Sequence, residues 1–165
     1  GSMDEGNTMR RALLLTIAVL LWGVFAATTN VHSSMALDDW NMDARNALPT
    51  YIKNWLASML VAHLSSVVFV RKHRPARWVL GGFLLSHLWV AYAEYSDAIA
   101  LKAGLVSFGH IVFWLPAIIS FYRNRADIKL SSAYGIWACI MFFYYAVSLT
   151  IDVREATIYF SHVTG

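Results

Sequence analysis

Apolar residues fall into long runs along this chain, and short clusters of charged residues separate them. A helix needs about 20 mostly apolar residues to cross the hydrocarbon core of a bilayer. Five runs approach that length, at about Ala12 to Thr29, Tyr51 to Val70, Trp78 to Tyr95, Gly104 to Tyr122 and Leu130 to Ile151. Read as one helix, Trp78 to Tyr122 would reach about 65 Å, roughly twice the hydrocarbon thickness. The chain must therefore turn near Asp97–Ala103 and form a tight helical hairpin. The pattern predicts an all-α integral membrane protein, a single domain over residues 4–165 built as a bundle of about five transmembrane helices. The leading Gly1-Ser2-Met3 reads as an expression scar.

Charge sets the orientation. Arg10 and Arg11 precede the first run, Arg71, Lys72, Arg74 and Arg77 separate the second and third, and Arg123, Arg125 and Lys129 separate the fourth and fifth. Basic loops stay in the cytoplasm, so the N-terminus is expected inside and the C-terminus outside. The acids Asp38, Asp39, Asp43, Asp97, Asp152 and Glu155 then collect on the outer side, with Glu94 just inside the membrane. Arg10-Arg11 and Ala26-Ala27 give the first run some likeness to a secretion signal, but its length favours a permanent helix. The longest segment between runs is the outer loop over residues 31–50, where Trp40, Met42 and Leu48 among acids suggest a short interfacial helix. The expected location is a bacterial inner membrane, or another cellular membrane with the basic loops cytoplasmic.

Composition supports the lipid reading. Hydrophobic residues make up 58% of the chain and charged residues 14%, against about 45–50% and about 25% in soluble domains. A chain this short cannot hide that much apolar surface in one core. The net charge of +3 does not point to nucleic acid, because the basic residues sit at the ends of apolar runs. Cys139 is the only cysteine, so no internal disulfide and no cysteine-based metal motif is possible. No phosphate-binding glycine loop, Walker lysine or nucleophile elbow is present.

The polar residues inside the runs carry the candidate chemistry. His63, His87 and His110 lie on three successive runs, roughly 9–18 Å from the outer ends by helical rise. That places all three inside a core about 30 Å thick, and they are read as sharing a level near its middle. On the third run His87, Ala91 and Glu94 recur at helical spacing. On the fourth, Ala103, His110, Trp114 and Ala117 share a face with Ser107 beside it, so both histidines are expected to point inward. Imidazole is the commonest metal ligand and also an axial haem ligand.

The first expectation is a midplane site on His63, His87 and His110 that binds a transition metal (Zn, Cu or Fe). In the haem form, His87 and His110 would ligate haem b, and Glu94 would handle protons in a redox or metal-dependent activity. The second is a small oligomeric cation or proton channel or transporter using Glu94 and Asp97. Asp38, Asp39, Asp43 and Asp97 would form its ion entry, because charge of one sign concentrates counter-ions. The third is a non-catalytic membrane subunit of a larger complex. The lipid bilayer and either a homo-oligomer or a membrane complex are the expected partners.

Overall fold

The computed structural model describes residues 35–96 and 99–165. The first apolar run, His32 and Asp97 lie outside the described residues. Every helix or strand assignment among the described residues is helical: α1 (Met42–Ala47), α2 (Thr50–Leu64), α3 (Arg74–Ser96), α4 (Ala103–Arg123) and α5 (Ala133–Thr164). Of these, α4 and α5 are long and apolar enough to cross a membrane.

Local signals explain the boundaries. Asn41 caps α1, its side-chain oxygen accepting from the Ala44 N–H at 2.9 Å. Leu48 is extended, at φ −57° and ψ 141°, as the residue before Pro49 must be, and α2 starts immediately after that proline. The second run is not one continuous α-helix. Its last turn, Ser65–Val68, tightens into a 3-10 helix, and the two pieces together reach about 30 Å. Pro75 sits in the first turn of α3, where the missing N–H breaks no helical bond. Ser132 caps α5 by accepting from the Gly135 N–H at 3.0 Å.

The fifth run was expected to leave the helix near Ile151, but α5 continues to Thr164. No proline or glycine interrupts it after Gly135, and the buried stripe Tyr145, Leu149, Asp152 and Ala156 keeps helical spacing through the charged stretch.

Helices α3 and α4 lie antiparallel, and so do α4 and α5. A Cβ on Gly82 would collide with the carbonyl oxygen of Phe113, and one on Gly104 would collide with Tyr159 and come 2.7 Å from the Glu155 carbonyl oxygen. These two glycines let backbones approach where no side chain fits. The main core joins all four long helices around Trp114, Phe121, Tyr134, Trp137, Met141 and Tyr145. The Trp137 indole N–H donates to the Ala62 carbonyl at 3.0 Å and ties α5 to the last turn of α2.

The other end is closed by backbone bonds. Trp40 N–H donates to Leu101 O at 2.8 Å and Ala103 N–H to Asp38 O at 3.0 Å, so residues 38–40 pair with the turn before α4. Gly82→Ala is expected to destabilise the detergent-solubilised protein by about 1–3 kcal/mol through overpacking. Gly81→Ala meets nothing within 4 Å and should leave the melting midpoint unchanged or slightly higher. Thermal melts of the two variants check the contrast.

Candidate functional site

Histidines 63, 87 and 110 do converge, but as a ladder of rings rather than around a point. The His87 ring lies 4.2 Å from Phe83, centroid to centroid, and Phe83 lies 5.2 Å from His63. His63 lies 5.2 Å from Trp114, and Trp114 stacks on His110 at 4.4 Å with only 10° between the planes. An aromatic ring therefore stands next to each imidazole in the series. Among the described residues, no three His, Cys, Asp or Glu side chains come together as metal ligands do.

The environments of the three differ. His63 is 1% exposed, packed between α2, α3, α4 and α5 against Phe83, Trp114 and Tyr145. His110 is half-buried, and His87 is exposed. The expected inward stripe on α3 is corrected here. His87, Ala91 and Glu94 are exposed, while Val79, Gly82, Phe83, Ser86 and Ala93 are buried. Small Gly82, Ser86 and Ala93 admit α4, which is why that stripe, rather than the histidine stripe, faces the core.

Hydrogen bonds assign the ring protons. His63 Nδ1 is 2.8 Å from Met59 O, and His87 Nδ1 is 2.9 Å from Phe83 O, each one helical turn back. A carbonyl oxygen only accepts, so Nδ1 carries the proton in both, and Nε2 of a neutral ring is left with its lone pair. In His63 that Nε2 is buried with no hydrogen-bond partner among the described residues. The buried Tyr145 hydroxyl and Trp114 indole N–H, on rings that touch His63, likewise have none.

His110 is different because its partner is an acid. Its Nδ1 donates to Asp152 Oδ1 at 3.3 Å, from α4 to α5. Asp152 is 7% exposed, and its other carboxylate oxygen is buried without a partner among the described residues. One turn on, Glu155 is also buried and pairs with Arg154 at 2.6 Å.

The sequence reading placed Asp152 and Glu155 among the outer-side acids and missed this pair. The signal was present, since Tyr145, Leu149, Asp152 and Ala156 continue one helical stripe past the end of the apolar run.

Of the expected channel and ion-entry residues, two are taken up in ion pairs. Glu94 forms an ion pair with Arg45 at 2.7 Å, and Asp39 one with Lys102 at 2.6 Å. Asp38 and Asp43 are exposed. Glu94 and Asp39 thus each meet a cation of this chain.

Comparison with protein-family models, curated proteins and solved structures gives no match for this chain. Nitrogen-15 NMR of histidine-labelled protein is expected to find His63 with its proton on Nδ1 and an unprotonated Nε2. Asp152→Leu should shift the His110 resonances and leave those of His63 in place. Protonated Nε2 on His63 would contradict the assignment.

Proposed function

We propose that this chain is a polytopic membrane protein that takes up and passes protons through the pair His110 and Asp152. In this reading the apolar runs form a bundle of about five transmembrane helices, N-terminus cytoplasmic, and the pair lies between two of them. The observation that carries the proposal is Asp152 itself. It is a carboxylate 7% exposed on a membrane-length helix, with an imidazole as its hydrogen-bonding partner.

Ionisable groups inside a bilayer cost several kcal/mol by most measures, and they persist mainly where they move ions or protons. Within the pair, His110 Nδ1–H donates to the carboxylate. A proton arriving at His110 Nε2 makes an imidazolium that Asp152 stabilises directly. Loss of the Nε2 proton restores the starting pair, whereas loss of the Nδ1 proton through Asp152 leaves the other ring tautomer, which must return to Nδ1–H before the next transfer in the same direction. The second Asp152 oxygen offers a place for that proton to leave. The earlier candidate Glu94 fits less well, because Arg45 neutralises it.

In liposomes carrying a potassium diffusion potential and an internal pH dye, the wild-type chain is expected to speed proton entry over empty vesicles. Asp152→Asn and His110→Gln should each lower the rate by about a hundred-fold or more, the lower end of the usual scale for removing a proton-transfer group. Glu94→Gln should have little effect. Wild-type vesicles no leakier to protons than empty ones would sink the proposal.

A second reading has its own supporting observation. All three imidazoles tie Nδ1 to an acceptor and leave Nε2 for another partner, which is how metal-bound histidines are held. A transition metal or haem on His63, His87 or His110 would use those nitrogens. Elemental analysis and an absorption spectrum of the purified protein test it. About one equivalent of Fe, Cu or Zn, or a Soret band lost on His63→Ala, is the expected result.

A further inference from the structure

We propose that the end of the bundle opposite the Asp39–Lys102 pair is a binding rim for the phosphate groups of anionic phospholipids. The inference rests on the reading that the helices span a membrane. Three segments meet at this end: the connection from α2 into α3, the connection from α4 into α5, and the first turn of α5. The core shows that they meet, since Phe69, Ala76, Val79, Phe121, Ile128, Tyr134 and Trp137 pack in one cluster.

Basic side chains surround that cluster. Arg71, Lys72, Arg74, Arg123 and Lys129 are all exposed, and no ion pair among the described residues involves them. Asp127 is the only acid in residues 69–77 and 121–135. The opposite end of the bundle differs, since its Arg45 and Lys102 are taken up by Glu94 and Asp39. One end therefore pairs Arg45 and Lys102 with acids and holds Lys53 on the Asn46 carbonyl, and the other presents its cations.

The rim is also held in shape. Arg77 donates to Val70 O at 2.7 Å and to Arg71 O at 3.1 Å, which fastens the turn that carries Arg71 and Lys72. His73 stacks on Tyr134 with centroids 3.5 Å apart and planes 4° from parallel, joining that turn to α5. Arg125 bonds Tyr122 O at 3.0 Å and lies 4.8 Å over the Tyr122 ring. These residues spend their donors on the fold, and the five others keep theirs for a ligand. Guanidinium and ammonium groups presented at a membrane surface match phosphodiester oxygens in charge and hydrogen bonding.

The test uses the full chain, stripped of lipid in neutral detergent and reconstituted into nanodiscs of phosphatidylcholine and phosphatidylglycerol. Native mass spectrometry counts the lipids retained. Wild type is expected to retain phosphatidylglycerol at least about five-fold over phosphatidylcholine, the scale of one basic residue at an anionic surface, with the preference falling as salt rises.

The variant carrying Arg71→Gln, Lys72→Gln, Arg123→Gln and Lys129→Gln should lose that preference. A variant with Arg71→Lys and Arg123→Lys should keep it. Should the four-fold variant lose its helical circular dichroism, the Arg71→Gln/Lys72→Gln pair takes its place. Equal retention of the two lipids by wild type, or an unchanged preference in the glutamine variant, overturns the proposal. Loss of the preference on adding millimolar inorganic phosphate also overturns it, by assigning the rim to free phosphate. Alkaline extraction of cell membranes tests the spanning premise separately, because a chain that stays in the pellet keeps that premise whatever the lipid count shows.

Discussion

The close contact between α4 and α5 is the constraint on which the rest of this molecule depends. Gly104 lets the two backbones approach at one end, and Ala103, Ser107 and Ala117 on α4 keep the seam narrow along its length. On the facing helix, Ala138, Ala146 and Ala156 are likewise small and buried. Seams of small residues are how helices associate where burial from water supplies no driving force. Larger groups enter the seam at chosen levels, with Trp114 against Tyr145, Phe121 against Phe142, and His110 against Asp152. The tight seam is what buries the Asp152 carboxylate and leaves His110 as its partner.

The far side of α4 repeats the logic with α3. Gly82 faces the Phe113 backbone, and Gly109 faces the Trp89 indole. α4 is thus the central helix, contacted on both sides at glycines, and α2 completes the core by inserting His63. The ion pairs Arg45–Glu94 and Lys102–Asp39 then hold α1 to the end of α3 and the residues before α1 to the start of α4. Both pairs are partly exposed. Each contributes at most about 1 kcal/mol, so they act more as register marks for the loop than as a source of stability.

Much of this was legible in the apolar pattern. The helices over Trp78 to Tyr95 and Gly104 to Tyr122 appear within a few residues of their expected ends, and a common depth for His63, His87 and His110 pointed to residues that the fold brings into one series of rings. What the pattern did not carry was rotation. Counting residues along a helix gives depth, but which side of α3 faces the core was decided by where Gly82 and Ala93 allow contact, and His87 went outward with Glu94. Hydropathy also hid the end of α5. A window that scores Asp152, Arg154 and Glu155 as polar ends the run there, although the helix and its buried face continue. The carboxylate that matters for the site was set aside for being charged.

His63 and His110 share one tryptophan, yet their surroundings ask different things of them. Rings surround His63, and its proton is held by a carbonyl of its own helix, so a second proton would create a charge with no acid bonded to it among the described residues. Burial of an unpaired charge is among the largest penalties a fold can carry. His63 is accordingly built to stay neutral and to offer a lone pair. His110 is bonded to a carboxylate on the neighbouring helix, so an added proton completes an ion pair instead of stranding a charge. The two positions therefore differ in what surrounds the ring, a carboxylate at one and only rings and a carbonyl at the other. That asymmetry, rather than the number of histidines at one depth, is the reason to place proton movement at His110 and Asp152 and to leave His63 as the position suited to a neutral or metal-bound partner.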